Sequence, residues 1–499
     1  MREDTKMKYV STRGNSPAVT SAEAIKTGLA ADGGLYMPES IPAFTEESLR
    51  ALAPLSYPER AARVLSMFLS DYSYEELLRD AEGAYSASKF IPAPAPVSDL
   101  GDGMYMLELW HGPTSAFKDM ALQIMPRLFS RALKKTGEER TALILVATSG
   151  DTGKAALEGY CDVPGTKIKV FYPQNGVSRV QKLQMQTQVG KNVSVSAIVG
   201  NFDDAQNGVK RIFGSDKMRE ELNDAGVFLS SANSINWGRL VPQIVYYVSA
   251  YCDLFSTGKI AFGEKIDVTV PTGNFGNIFA AFIAKKMGVP IDRLICASNK
   301  NNVLTEFLET GTYDRNREFH ATMSPSMDIL ISSNLERLLF LVAGPERTAN
   351  YMKELAENGK YTVDKADFAN ICSHFSGYYT DEDKTGETIK CIYEKKNCLI
   401  DTHTAVALSA SYRYTNDNKA ERKILTVSTA SPYKFASDVY ASLVSNKPSD
   451  DIAALELLRD LTGVSIPYPL ADIAKRTVIH TDIIERDAMD DSVKNFAGC

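Results

Sequence analysis

The chain has 499 residues, 44% hydrophobic and 23% charged, with 55 Lys and Arg against 62 Asp and Glu and a net charge of −7. That length predicts about two to four domains, and the acidic balance without any basic block argues against a nucleic-acid partner or an anionic membrane surface. Seven cysteines, odd in number and without a Cys-x-x-Cys pair, speak against a disulfide framework or zinc site.

Residues 1–95 are expected to form an N-terminal domain. Its elements are a strand at Tyr9–Thr12, a Gly-rich turn at Ala30–Met37 running into an extended segment, and helices at Thr45–Leu52 and Pro58–Phe68. The charged N-terminus, Met1 to Lys6, lacks an apolar leader core, and no run of about 18 apolar residues follows, so a cytoplasmic protein is expected. The Pro-rich run Ile91–Val97 is a stiff link. Strands and helices then alternate. Strands are predicted at Met104–Leu109, Thr141–Ala147, Lys167–Tyr172, Val193–Val199, Val227–Leu229, Ile266–Val270, Leu294–Ala297 and Lys423–Thr429. Helices are predicted after His111, at Lys154–Tyr160, Phe202–Phe213, Ile278–Met287, Thr305–Glu309, Leu335–Val342 and Thr348–Glu357. Fully apolar strands alternating with helices predict an α/β fold of two open, mainly parallel sheets covered by helices, with a cleft between two lobes and a helical C-terminal appendage over 446–499.

The most informative stretch is His111-Gly-Pro-Thr-Ser-Ala-Phe-Lys-Asp119. Gly112 and Pro113 turn the chain, Thr114 and Ser115 are candidate N-caps, and Phe117, Met120, Ala121, Ile124 and Met125 continue a helical pattern. Lys118 then lies against the positive end of a helix dipole with apolar flanks, which lowers an amine's pKa and suits a Schiff-base or proton-shuttling lysine. From this segment alone, a solvated lysine covering apolar neighbours is an equal alternative.

Three strand-to-helix junctions carry small and hydroxylated residues, at the end of the sheet where ligands bind in such folds. Thr148, Ser149 and Thr152, with the backbone around Gly150 and Gly153, form a candidate anion cradle that lacks P-loop spacing, or else a simple helix cap. Gly273, Asn274, Phe275, Gly276 and Asn277 let the backbone approach a single phosphate; the acidic residue of a dinucleotide site is missing after the next strand. Ser428–Pro432 either meets a polar ring atom or caps a helix, capping being the commoner role. Asn233, Ser234 and Arg239 offer an amide, a hydroxyl and a guanidinium for a phosphate or carboxylate. Ser333 and Glu336 have capping-box spacing. A low-pKa lysine, one phosphate cup and a second anion site together suggest pyridoxal phosphate.

These motifs resemble the threonine synthase family, of the fold type II pyridoxal-phosphate enzymes. The Lys118 motif, Ala147–Gly153, Asn233–Asn236, Gly273–Asn277 and the trio Ser428, Thr429, Ala430 match it in order and spacing. Tyr9–Gly14 and Asp32–Pro38 are similar to its longer bacterial and fungal branch. Asp401–Ala405 is similar to an Asp-Pro-His-Thr-Ala segment, with Thr402 replacing the proline at what is expected to be a turn. The resemblance implies a large lobe of residues 96–130 and 236–445 and a small lobe of 131–235. It implies that Lys118 carries the cofactor and moves protons, that Gly273 to Asn277 hold its phosphate, that Thr429 sits by the pyridine nitrogen, and that Asp151 lies near the ring. Thr148, Ser149 and Thr152 would bind the substrate carboxylate, and Asn233, Ser234 and Arg239 the phosphate of O-phospho-L-homoserine. The implied reaction is a lyase reaction, γ-elimination of phosphate followed by water addition at Cβ to give L-threonine, in a monomer or homodimer. Rival readings are a phospho-lyase releasing 2-oxobutyrate, a serine or threonine dehydratase, and a non-catalytic relative.

Overall fold

The computed structural model describes residues 6–499, so the N-terminal stretch read from Met1 lies outside it except for Lys6. Among the described residues, chain order gives fifteen strands. β1 (Tyr9–Ser11) and β2 (Tyr36–Pro38) pair antiparallel in the N-terminal unit, where helices Tyr57–Phe68 and Tyr74–Ala84 pack together. β3 (Val97–Gly101) and β4 (Met104–Glu108) follow the Pro-rich link. β5 (Thr141–Ala147), β6 (Thr166–Pro173), β7 (Val193–Ile198) and β8 (Val227–Ser230) come next, then β9 (Ile266–Pro271) and β10 (Ile291–Ser298). β11 (Thr312–Asp314) and β12 (Lys360–Thr362) form a small antiparallel pair; β13 (Phe375–Tyr379), β14 (Ile424–Ser428) and β15 (Ile483–Ile484) complete the set.

Two sheets carry the architecture. The larger has the order β13-β10-β9-β14-β4-β3, parallel except for the β3–β4 hairpin, and the smaller has the order β15-β7-β6-β5-β8, parallel throughout. β5 shows why the chain builds such a sheet. Its side chains alternate faces, so Ala142, Ile144 and Val146 enter one core while Leu143 and Leu145 enter another with Phe171 and Ile198. Helices cover both faces, which is why the strand reads as a continuous apolar run.

Several elements lie outside the sequence expectation, among them β3, β11, β12 and β13, and two differences bear most on the architecture. The stretch 446–499 is not purely helical: besides helices Asp451–Thr462 and Met489–Ala497 it supplies β15, which extends the smaller sheet beside β7. A two-residue strand is too short to show any periodicity. The twenty-residue helix Trp237–Ser256 lies outside the expectation; it is buried on nearly every side and carries Pro242, which by local rules reads as a helix breaker.

Candidate active site

β4 and β14 lie side by side, and their carboxyl ends bring two distant segments together. Phe117 N–H donates to Thr429 O (2.8 Å), Ser431 N–H donates to Ser115 O (3.1 Å), and Ala116 bridges Ala430. The helix after this junction spans Lys118–Leu122 and has no side-chain cap. Thr114 and Ser115 are therefore not its N-caps. Thr114 instead donates its amide and hydroxyl to the two oxygens of Asp119, both at 2.8 Å, while Ser115 turns the chain at φ 59°. Burial pushes the Asp119 carboxyl up to about 7, against the pull of those two bonds.

Lys118 is enclosed, which removes the solvated-lysine alternative. Its Nζ lies 3.4 Å from Ser326 Oγ, 3.8 Å from Asp151 Oδ2 and 4.9 Å from the Phe117 ring centroid. Burial lowers its pKa; Asp151 opposes the shift, and the cations of Arg239 and Lys434 reinforce it.

The loop after β5 is shaped by Thr148, whose hydroxyl oxygen accepts the amides of Gly150 and Gly153, each at 2.9 Å. Thr148 is buried, Ser149 is exposed and Thr152 is half-buried, so Ser149 and Thr152 form the lip of the cradle. Gly150 sits at φ 138°, and a Cβ there would collide with Gln181. Asp151 opens the following helix, where Gln181 Nε2 and Lys434 Nζ both reach its Oδ1 at 2.9 Å. Burial alone would raise this carboxyl; Lys434 and Lys118 outweigh it and hold the group well below the usual carboxylate range.

The second junction is a closed cup. Phe275 adopts φ 60° ahead of the helix Gly276–Lys286, and a Cβ on Gly273 would stand 2.7 Å from Ser326 O. Ser332 Oγ donates to Gly273 O (2.7 Å), and the amide and side chain of Asn334 donate to Asn274 O (3.1 and 2.9 Å). The expected capping box at Ser333 and Glu336 is not formed. Glu336 accepts from Thr12 (2.6 Å) and Arg13 (3.0 Å), and tertiary partners thus displace the local cap. Asn277 accepts from Tyr246 and Tyr247 at 2.5 and 2.6 Å, leaving its buried Nδ2 without a partner.

Asn233 and Ser234 are half-buried on the approach to helix Trp237–Ser256, and Ser234 Oγ meets Ser333 Oγ at 3.5 Å. Asn236 is the structural member, capping Gly238 N–H at 2.8 Å. Arg239 is buried with Nη1 on Ala232 O (2.6 Å) and Nε unpartnered, and burial lowers its pKa to about 10. Thr429 is also buried and holds the Lys118 loop through its carbonyl.

Sequence reasoning missed Lys434, Ser326 and Gln181. Lys434 carried a signal, a lysine between aromatic residues in the Pro432–Phe435 turn just past Thr429. Ser326 carried none. The assembled site fits a phosphorylated pyridine aldehyde: an amine whose pKa is lowered by burial and a glycine cup that a Cβ would fill meet at Ser326, with unpartnered buried donors at Asn277 and Arg239.

Comparison with known proteins agrees with this reading. Residues 8–85 match the family described as threonine synthase N terminus, and residues 82–430 match the pyridoxal-phosphate dependent enzyme family. The chain is 38% identical to a threonine synthase of Pseudomonas aeruginosa over 449 residues, covering 89% of this chain and 92% of the relative. It is 36% identical to a threonine synthase of Saccharomyces cerevisiae over 464 residues, covering 87% and 89%. Among solved structures, a pyridoxal-phosphate-bound threonine synthase from Brucella melitensis superposes with a TM-score of 0.88 at 36% identity, covering 99% of this chain and 100% of that one.

Proposed function

The chain belongs to the threonine synthase family of pyridoxal-phosphate-dependent enzymes, and we propose that it converts O-phospho-L-homoserine and water to L-threonine and phosphate. The observation that carries this reading is Arg239, a buried guanidinium whose Nε has no partner and which lies close enough to Lys118 to help lower its pKa; a second anion there would complete its bonding. A cofactor phosphate needs one such site, and a phosphorylated substrate needs another.

Pyridoxal phosphate, when bound, supplies the electron sink that lets protons leave the substrate's α- and β-carbons. The residues of the chain do the rest. Gly273, Asn274, Phe275, Gly276 and Asn277 hold the cofactor phosphate at the start of a helix, where amides point outward. Lys118 would hold the cofactor and move protons, a role favoured by the lowering of its pKa on burial. Thr429 offers the pyridine nitrogen a neutral hydroxyl, which does not hold a ring proton as a carboxylate would. Ser149 and Thr152, on the cradle shaped by Thr148, grip the substrate carboxylate, while Asn233, Ser234 and Arg239 grip its phosphate. Asp151, kept ionised by Lys434, orients the Lys118 amine.

We assign the larger sheet to a large lobe (96–130 and 236–445) and β5 to β8 to a small lobe (131–235), flanked by an N-terminal domain (1–95) and the 446–499 appendage, whose β15 extends the small lobe's sheet. Closure between the lobes limits water to attack at one carbon. We place the enzyme in the cytoplasm, as a monomer or homodimer. A serine or threonine dehydratase has no use for the Arg239 site. Purified holoenzyme should therefore release phosphate from O-phospho-L-homoserine and leave L-serine and L-threonine unreacted. Deamination of either amino acid without phosphate release would overturn the assignment.

A further inference from the structure

We propose that Asp401 and His403 form a buried positioning unit that sets both walls facing Lys118. Asp401 caps the helix Thr402–Asn418 and is fully buried. Thr402, the first residue of that helix, stands where a proline is well tolerated, so the segment is a helix start rather than the expected turn. An N-cap needs one accepted bond. Asp401 accepts several: its Oδ2 takes His403 N–H (2.9 Å) and His403 Nδ1 (2.7 Å), and its Oδ1 takes Thr404 N–H (3.0 Å) and the Thr404 hydroxyl.

One arm runs through His403. Its Nε2 lies 3.1 Å from the backbone N–H of Ser326. A backbone N–H only donates, so Nε2 is the bare nitrogen and Nδ1 carries the proton toward Asp401. The anchored turn, Pro325–Met327, is only three residues long, yet it meets Lys118, Asp151 and Gly273. Ser326 Oγ lies 3.4 Å from both Lys118 Nζ and Asp151 Oδ2, and Ser326 O closes against Gly273.

The other arm runs through hydroxyls. Trp110 Nε1 donates to Ser428 Oγ (3.0 Å), and Ser428 lies 2.9 Å from Thr404 Oγ1. Because the Thr404 hydroxyl spends its one proton on Asp401, Ser428 must donate to Thr404. The chain of donors ends one residue before Thr429, whose carbonyl holds the residue preceding Lys118. A single carboxylate therefore orients both the serine beside the lysine and the strand end that holds Phe117 ahead of it.

Asp401→Asn isolates this role. Asparagine remains a good N-cap with its oxygen on Thr404 N–H, and its amide nitrogen then faces Nδ1, which favours the other imidazole tautomer and places an N–H against the Ser326 N–H. A wrong tautomer of this kind leaves geometry nearly intact while activity falls. The unit acts on turnover under the proposed function, and its effect on the Ser326 amide is independent of that function. The experiment measures hydrogen exchange of the Ser326 amide in the cofactor-free chain, with kcat and KM of the holoenzyme, for Asp401→Asn, His403→Leu, His403→Gln and the double variant Asp401→Asn/His403→Gln. Glutamine keeps an acceptor for Ser326 without regard to tautomer.

Ser326 exchange should accelerate in Asp401→Asn and His403→Leu, with kcat falling roughly 10- to 100-fold and KM changing by less than about threefold. His403→Gln should stay near the parent and restore protection and kcat in the double variant. If Asp401→Asn does not fold, the contrast between His403→Leu and His403→Gln decides alone. Unchanged Ser326 exchange in both Asp401→Asn and His403→Leu, or no difference between the leucine and glutamine variants, would overturn the proposal. A parent inactive on O-phospho-L-homoserine that still shows the exchange pattern would reject the proposed substrate and keep the positioning unit.

Discussion

Lys434 Nζ stands 2.9 Å from Asp151 Oδ1, closer than the 3.8 Å that separates Lys118 Nζ from the other oxygen of the same carboxylate. Lys434 is fully buried, and its remaining bonds go to Gln184 Oε1 (2.6 Å) and Thr114 O (3.3 Å). The arrangement satisfies Asp151 without committing it to Lys118. Burial, with the cations of Arg239 and Lys434, then lowers the Lys118 pKa against the pull of Asp151.

Replacing Lys434 with Met leaves Asp151 with Lys118 as its one close cation. The Lys118 pKa should rise, and the free-amine fraction at neutral pH should fall. The acid limb of the kcat/KM profile is expected to move to higher pH, with a loss of about tenfold or more at pH 7. Adding Asp151→Asn should move the limb back. A profile that keeps its position in Lys434→Met would show that the pair does not tune the amine.

Gly273→Ala places a Cβ 2.7 Å from Ser326 O, and backbone cannot retreat as a flexible side chain can. The cup must open or the Ser326 turn must shift. Cofactor affinity, read by titration of the apoenzyme, should weaken by about tenfold or more, an effect of about 1.4 kcal/mol. Retained affinity would mean that the cup is not closed by this contact.

Arg239→Lys retains the cation that helps depress Lys118 but removes the guanidinium fork and its free Nε. Loss of a charge-assisted bond predicts a KM for phosphorylated substrate raised by about 10- to 100-fold, with the cofactor spectrum unchanged. An unaltered KM would move the substrate phosphate elsewhere.

Much of this site was legible from local pattern, and the remainder depended on contacts that no local pattern encodes. β5, β9 and β14 are apolar runs bounded by turn residues, and the glycines at 273 and 276 announce close backbone approach. Lys118 was legible because helix start and apolar flanks are neighbours in sequence. Its partner Ser326 is 208 residues away, and Glu336 meets Thr12 across 324. Such pairings compete with local rules and win, which is why the Ser333–Glu336 box and the Thr114 cap did not form. Helix Trp237–Ser256 was hidden by a local rule that its burial overrides: Pro242 reads as a helix breaker, yet sits inside it.

Asp119 gives the fold a pH dependence of its own. Its folded-state pKa of about 7 lies above the unfolded value, so the folded chain binds more protons than the unfolded one between about pH 4 and 7. Stability from this group is greatest below pH 4 and falls as pH rises through that window, by an amount on the order of 4 kcal/mol. Asp119→Asn, which can still bond both Thr114 groups, should remove this contribution and be the more stable protein at pH 8. Denaturant midpoints for the two proteins at pH 5 and pH 8 check it; an equal pH response in both would contradict the assignment.

The central claim is that this site eliminates phosphate and then adds water before the intermediate escapes. The most direct test incubates holoenzyme with O-phospho-L-homoserine and quantifies phosphate, L-threonine and 2-oxobutyrate together, with Lys118→Ala alongside. One threonine for each phosphate, and neither product from the variant, is the predicted result. Phosphate accompanied by 2-oxobutyrate in place of threonine would contradict it and make the enzyme a phospho-lyase.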